Sequence, residues 1–360
     1  MGLTPTVREN EYIADLFNNV TVMGFLHEAN PTEPLSGYAC PKIRFKPLWP
    51  SGGDSLMDKL KVVITSFSYL FAIHAEARKL KSSDWVYVRC PCNIALIACL
   101  YLIFFRRPRR WFKYAGNWKP ETGTAFSYRL QRFILRHNLC RGKVTINGEW
   151  KNQPGHVLSF YNPCCSTQEV EEAEKFTGLK KLEPPFEMLF VGRIEHEKGV
   201  GRILEIAEKL KQRKAAFHIN LVGEGKDRNA LESRCRSAQL EGHIDFTGFK
   251  SAEELKLLYQ KAQLFILPSL SEGWPKVLSE AMNYFCIPIA SDVSSIPQVF
   301  KKFDCGIALP GDEIDMWVEK IISLLGDPEK WGRLGGNGKR AMSNFTYEKM
   351  VKEIREKVLV

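Results

Sequence analysis

EMLFVGRIEHEKGVGRILEIAEKLKQRKAAFHINLVG, residues 187–223, reads as strand, turn, helix, turn, strand. Glu187-Met-Leu-Phe-Val-Gly192 is a short apolar run that ends in glycine. Ile203, Leu204, Ile206, Ala207 and Leu210 then recur at helical spacing, and Phe217-His-Ile-Asn-Leu-Val-Gly223 is a second apolar run. A strand, a crossover helix and another strand in that order form a parallel pair. Working outward, a charged helix runs to about Gln239, and Asp245-Phe-Thr-Gly248, Leu264-Phe-Ile-Leu-Pro268 and Ile287-Pro-Ile-Ala290 repeat the theme. The pattern predicts a doubly wound α/β domain from Phe186 onward.

The first half is less legible. Trp85-Val-Tyr-Val-Arg89 and Trp111-Phe-Lys-Tyr-Ala115 predict strands that flank an apolar helix, which points to a second α/β unit. Asn162-Pro163 and Pro184-Pro185 bracket a charged stretch that suits a linker. The resulting division is a first domain over 1–165, a linker over 166–185, a second domain over 186–345 and a closing helix over 346–360. In that last helix Met350, Ile354 and Val358 are spaced by four.

The 360 residues are 44% hydrophobic and 26% charged, too apolar for a disordered chain and long enough for two cores. Residues 1–170 carry 22 Lys and Arg against 12 Asp and Glu, whereas residues 171–360 carry 29 of each. The whole surplus of +10 therefore lies in the first half, which is suited to an anionic partner: a membrane surface, a phosphorylated substrate or nucleic acid. Charge alone does not choose among them, although no nucleic-acid reader motif accompanies the arginines. The ten cysteines are scattered from Cys40 to Cys305 and lack C-x-x-C pairs, so they are read as reduced thiols rather than as a disulfide framework or a zinc site. The apolar stretch from Asn93 to Phe105 would make a helix of about 20 Å, short of the roughly 30 Å of bilayer hydrocarbon. It is read as a helix packed on a sheet, with Arg106, Arg107, Arg109 and Arg110 marking its exposed end; in-plane contact with a bilayer is the alternative.

Two constellations carry chemistry. In Gly192-Arg193-Ile-Glu195-His-Glu197-Lys198-Gly199 a strand end leads to a helix start, where unpaired N–H groups and the helix dipole favour an anion. Arg193 and Lys198 would add charge-assisted hydrogen bonds of roughly 1.5–3 kcal/mol each. The plainer alternative pairs them with Glu195 and Glu197 in a solvated turn. In Ser269-Leu-Ser-Glu272-Gly-Trp-Pro275-Lys-Val-Leu-Ser-Glu280-Ala-Met, a strand end again leads to a helix, with Pro275 suited to its first position. Glu272 in the loop and Glu280 in the helix can face one ligand, and carboxylates accept paired hydroxyls of a ribose or sugar ring. The plainer reading gives Glu280 a surface pair with Lys276 and Glu272 a helix N-terminal charge. Val222-Gly223-Glu224-Gly225 is weak alone. Dinucleotide, P-loop, zinc-protease and serine-hydrolase motifs are absent, and no D-x-D triplet supports an aspartate-held metal.

Taken in order, G-R-x4-K-G at 192–199, V-G-E-G at 222–225, F-T-G at 246–248 and E-G-W-P-x4-E at 272–280 resemble the carboxy-terminal domain of glycosyltransferase family 4. The likeness covers about residues 186–345, through Ile296-Pro297 and Gly306-Ile-Ala-Leu-Pro310. It implies two Rossmann-like doubly wound domains facing a cleft, the B-type fold. The first would lie on the acceptor side, and the second would bind a nucleotide-diphosphate sugar. It implies a retaining glycosyltransferase that uses no metal or other cofactor. Arg193 and Lys198 would hold the diphosphate and stabilise leaving charge, and Glu272 would contact the transferred sugar. Glu280 would bind ribose, Gly223 and Glu224 would lie by the base and ribose, and the backbones of Gly192, Gly273 and Trp274 would approach the donor.

The sequence departs from the family in two places. Trp274-Pro275 replaces a Phe-Gly pair, and proline supplies no N–H. The family's opening strand and glycine loop have no clear counterpart, so residues 2–8 are read as that loop and the first domain as lacking its first strand. His27, His74, His137, His156 and the Tyr114–Trp118 run are weak candidates for acceptor contact. The overall expectation is a cytoplasmic enzyme, peripheral on the inner membrane face through its basic first domain, that passes sugar to a glycan or lipid-linked acceptor in surface polysaccharide synthesis. The alternatives are an epimerase or phosphorylase of the same fold, or a binder of sugar nucleotides without catalysis.

Overall fold

The computed structural model describes residues 2–26, 35–50, 56–119 and 124–360. The chain divides into two units.

The first unit runs to Tyr161 and regains the chain at Val351–Val360. Its opening strand β1 (Gly2–Leu3) pairs antiparallel with β3 (Leu35–Ser36). Helix α1 (Thr4–Ala14) and strand β2 (Val20–Phe25) lie between them in sequence. Strand β4 (Ile43–Leu48) lies parallel to β2, and helix α2 (Leu56–Ala77) follows it. Four further parallel strands, β5 (Trp85–Cys90), β6 (Arg109–Tyr114), β7 (Lys143–Asn147) and β8 (Val157–Phe160), pair in chain order. Helices α3 (Asn93–Phe104) and α4 (Phe126–Arg136) are their crossovers. The core between these helices and strands includes Cys99, Leu102, Phe112, Ile134, Leu135 and Val144, all buried. Glu9 of α1 is wholly buried, and its Oε1 accepts from Arg89 Nη1 at 2.9 Å and Lys113 Nζ at 2.6 Å, which ties α1 to the ends of β5 and β6.

The reading of residues 2–8 as a loop is corrected here: they form β1 and the first turn of α1. The parallel strands of this unit stand as two sheets, β2–β4 and β5–β8, with no ladder joining them among the described residues. The packed-helix reading of 93–105 holds for Ala95, Ala98, Cys99 and Leu102, which are buried. Arg110 departs from it. It is buried in β6, where its guanidinium donates to the carbonyls of Phe105 and Cys140.

The second unit runs from Asn162 to Met350. It opens with helix α5 (Thr167–Thr177), where a linker was expected. The Ser166 hydroxyl accepts from the Glu169 N–H and the Glu169 carboxylate accepts from the Ser166 N–H, a reciprocal cap that starts the helix. Further on, the Lys180 ammonium donates to the carbonyls of Tyr259 and Ala262 at 2.7 and 2.6 Å, so this stretch is docked rather than loose. Strand β9 (Phe186–Val191) then leads through a 3-10 turn at His196–Lys198 into α6 (Val200–Gln212). Next come β10 (Phe217–Val222), α7 (Arg228–Ser237), β11 (Ile244–Gly248), α8 (Ala252–Lys261) and β12 (Leu264–Leu267). The unit continues with α9 (Lys276–Asn283), β13 (Ile287–Ser291), α10 (Ile296–Phe303) and β14 (Ile307–Leu309). Helices α11 (Ile314–Leu325), α12 (Pro328–Ala341) and α13 (Tyr347–Glu353) follow.

The sheet is fully parallel in the order β11-β10-β9-β12-β13-β14. Its direction reverses between β9 and β12, and ligands of open α/β sheets bind outside the carboxyl ends of the strands at such a switch. The expected closing helix ends early. A wider π turn takes over at Ile354–Val358, still burying Ile354 and Val358 and returning the chain to the first unit.

Candidate active site

Both motifs leave the sheet at the switch point. Gly192 and Arg193 follow β9, and the Ser269–Glu272 loop follows β12, its neighbour. Lys198 lies in the 3-10 turn ahead of α6, and Glu272 lies in the loop ahead of α9. Their side chains meet, with Lys198 Nζ 2.6 Å from Glu272 Oε1. The Glu272 side chain is 9% exposed and that of Lys198 24%, so the pair is screened from solvent yet reachable at the ammonium. The plainer reading of the first motif therefore holds for one cation only. Arg193, largely exposed, pairs with Glu195 at 3.0 Å, while Lys198 reaches across to the second motif.

Backbone contacts fix the loops that carry these groups. The Leu270 N–H donates to the Glu197 carbonyl at 2.9 Å, and the His196 N–H to Asp227 Oδ2 at 2.7 Å. Gly199 caps α6 with φ +73°, and a Cβ placed on it would lie 2.0 Å from the Pro268 carbonyl oxygen. Gly223 follows β10 with φ +135°, and a Cβ there would lie 1.9 Å from the Gly192 carbonyl oxygen. The glycine in V-G-E-G thus lets one loop backbone approach another.

Glu224 beside it is ion-paired with Arg228, which also donates to Glu232 Oε1 at 2.7 Å and to the Phe246 carbonyl at 3.0 Å. The Trp274 side chain is buried. Its Nε1 donates to Ser279 Oγ at 2.9 Å, and its ring stacks on Phe345 with centroids 5.3 Å apart. Trp274 thus anchors the Glu272 loop with its indole. The carbonyls of Gly273 and Trp274 accept from Ser295 Oγ and Asn162 Nδ2. Pro275 is the cap rather than the first helical residue of α9, and Leu278, Ala281 and Met282 are buried as expected, with Val277 only half-buried.

Glu280 is half-buried, and its Oε2 accepts from the Tyr259 hydroxyl at 3.0 Å. Tyr259 is buried and stacks on Tyr284, so the hydroxyl is fixed in place. Burial, reinforced by the Glu280 carboxylate, pushes the Tyr259 pKa well above its ordinary value, which keeps it a proton-bearing donor. Nothing in the sequence pattern links positions 259 and 280. If Glu280 grips a ribose, Tyr259→Phe is expected to raise the donor KM about five-fold, from loss of roughly 1 kcal/mol of positioning, with kcat little changed. A donor KM equal to that of the unchanged protein would remove Tyr259 from this role.

The acceptor candidates of the first unit make the following contacts within it. His74 meets the Tyr101 hydroxyl at 3.1 Å, His137 Nδ1 the Phe133 carbonyl at 2.9 Å, and His156 Nε2 the Leu135 carbonyl at 2.9 Å. Tyr114 and Trp118 are buried against each other, and the Tyr114 hydroxyl accepts from Arg132. His27 lies outside the described residues. All ten cysteines are free thiols, eight of them buried. Among the described residues no three His, Cys, Asp or Glu side chains are grouped to hold a metal ion.

Residues 171–341 match the family of glycosyl transferases group 1. The stretch covers the β9–β14 sheet and every residue of the switch-point site. Among curated relatives, the amylovoran biosynthesis glycosyltransferase AmsK of Erwinia amylovora is 34% identical over 162 residues, 42% of this chain and 40% of that protein. A putative colanic acid biosynthesis glycosyltransferase, WcaL of Salmonella typhimurium, is 33% identical over 147 residues, 39% of this chain and 36% of its own. The chain thus spans about two fifths of the length of these relatives. Among solved structures, sucrose-phosphate synthase from Thermosynechococcus elongatus superposes with a TM-score of 0.72 at 16% identity, covering 97% of this chain and 90% of that one. Anabaena Alr3699/HepE, in complex with UDP and glucose, gives 0.70 at 16% identity over 99% and 96%. These likenesses establish the fold as two Rossmann-like domains of the B type.

Proposed function

We propose that this chain is a retaining glycosyltransferase that moves a sugar from a nucleotide-diphosphate donor to a glycan or lipid-linked acceptor in surface polysaccharide synthesis. The observation that carries the reading is the Lys198–Glu272 pair, which joins the two motifs at the switch point of the second unit's sheet. An ammonium has three donors, so one N–H on Glu272 is compatible with others on a phosphate oxygen. Arg193, exposed just past the end of β9, supplies the second positive charge. Together they meet the charge that develops on a leaving diphosphate, the electrostatic work that dominates such transfers. Glu272 receives sugar hydroxyls, and Glu280, held by Tyr259, receives those of the ribose. Because two side-chain cations supply the countercharge, the reaction proceeds without a divalent metal and a chelator leaves its rate unchanged. The relatives named for amylovoran and colanic acid synthesis support the product class, and the UDP-bound neighbour supports a nucleotide donor.

The test is a thermal-shift screen of UDP, GDP, ADP and dTDP sugars, followed by isotope-labelled transfer with the donor that binds. A donor at 100 times its Kd is expected to stabilise the protein by about 2.7 kcal/mol. Label in a new glycosidic bond with unchanged anomeric configuration supports the proposal. Label that stays on the nucleotide as an altered sugar would make the protein an epimerase, and binding with neither product would make it a binder.

A further inference from the structure

The outward side of the first unit's helices combines bare aromatic side chains with exposed arginines. Helix α2 packs against α3, and α3 against α4, so the three form one layer. On α2, Ile64, Phe67 and Phe71 recur at i, i+3 and i+7 on one stripe and are 67%, 61% and 72% exposed. His74 continues that stripe, and its contact with Tyr101 of α3 places the α2 stripe beside the next helix. Helix α3, NIALIACLYLIF, contains no charged residue, and its outer face shows Leu100 and Phe104, the latter 84% exposed. A helix apolar on all sides belongs in a core or a lipid phase. This one has only its inner side in the core.

Helix α2 carries acid as well, with Glu76 ion-paired to Lys46 and Lys79, but around α3 and α4 the charge is almost all positive. Residues 85–148 hold 12 Lys and Arg and a single acid, Glu121. Arg106 and Arg107, just beyond α3, are exposed. On α4, Arg129, Phe133 and Arg136 recur at i, i+4 and i+7, all exposed, so cation and aromatic share one stripe. We infer that the α2–α3–α4 face lies in the plane of an anionic lipid bilayer. Phe71 and Phe104 enter the boundary between headgroups and acyl chains, and Arg106, Arg107, Arg129 and Arg136 meet lipid phosphates. A bilayer surface accepts both kinds of side chain at once, whereas a nucleic-acid backbone has no use for the bare phenylalanines and a second copy would set like charge against like. None of the described helices is long and apolar enough to cross a membrane, so the contact is lateral. The surface is independent of the donor site and stands or falls separately from the proposed reaction.

The full-length chain should co-sediment with phosphatidylcholine vesicles that contain phosphatidylglycerol, much less with phosphatidylcholine alone, and less as salt shortens the roughly 10 Å screening length of 0.1 M solution. Each arginine near such a surface contributes about five-fold to partitioning, so the double variant Arg106→Glu/Arg107→Glu is expected to lose about 30-fold or more. Phe71→Ser/Phe104→Ser should weaken binding while its melting temperature, read in parallel, stays unchanged. Absence of binding to anionic vesicles at low salt would overturn the inference, as would unaltered binding by both variants. Sedimentation velocity showing a dimer that Phe71→Ser/Phe104→Ser disperses, without vesicle binding, would assign the face to self-association instead. Tight binding to duplex DNA that survives the phenylalanine changes would assign it to nucleic acid.

Discussion

Lys198→Ala is expected to lower kcat/KM about 30- to 150-fold, the effect of losing about 2–3 kcal/mol of charge-assisted contact to a leaving phosphate. The side chain makes this a test of chemistry as well as of structure, because Nζ is 2.6 Å from Glu272 Oε1 and still partly open. Removing the ammonium also takes the ion-pair partner from a carboxylate that is 9% exposed, which adds a structural cost. Glu272→Gln separates the two effects: it weakens the pair yet leaves the cation for phosphate. The Lys198→Ala/Glu272→Gln double variant should lose less than the sum of the singles, since residues in contact couple by 0.5–3 kcal/mol as a rough range. A rate equal to that of the unchanged protein, with the donor at its KM, would remove Lys198 from the site.

That pair also shows where reading a sequence stops. The central strands of the second unit are legible because parallel strands covered on both faces become continuous apolar segments, as in Leu264-Phe-Ile-Leu267, where every residue is buried. Their lateral order is not, since nothing in a strand's composition says that β12 pairs with β9 rather than with β11. The first unit shows the same limit from the other side. The runs Trp85–Arg89 and Trp111–Ala115 mark β5 and β6 to within two residues, but Val20–Phe25 and Ile43–Leu48 carry no fully buried residue and so lack a strong apolar signal. Helix α5 carries a legible start signal inside a stretch whose composition reads as linker. Ser166-Thr-Gln-Glu169 is a capping signature, hidden by the charged composition that suggested a linker. In the site, the residue types were readable and the partners were not. Lys198 and Glu272 lie 74 positions apart, and Tyr259 and Glu280 lie 21 apart. Such contacts follow from strand order, which local pattern does not encode.

Gly223→Ala is expected to be the most damaging single change in the second unit, even though it adds one methyl group. At φ +135° the backbone is in a region that side chains essentially exclude, with strain of about 1–3 kcal/mol. The added Cβ would also lie 1.9 Å from the Gly192 carbonyl oxygen, well inside any tolerable contact. Relief requires the β9 and β10 loops to separate. They are held by the Gly192 N–H on the Val222 carbonyl at 3.0 Å and the Ile194 N–H on the Glu224 carbonyl at 2.9 Å. Strain, clash and lost hydrogen bonds together come to about 3–5 kcal/mol, within the exceptional tail of single substitutions. For a unit of this size that is a fall in Tm of roughly 6–20 °C by calorimetry. Gly332→Ala is the matched control. It lies inside α12 with nothing within 4 Å of its added Cβ, so it should leave Tm unchanged or raise it, by up to about 1 kcal/mol of helix propensity. Because Gly192 and Arg193 move with the loop, the surviving folded fraction of Gly223→Ala should also lose donor-induced stabilisation. If its Tm stayed within 2 °C or so of the control, the close approach of these two loops would be refuted, and with it the reason for glycine at this turn.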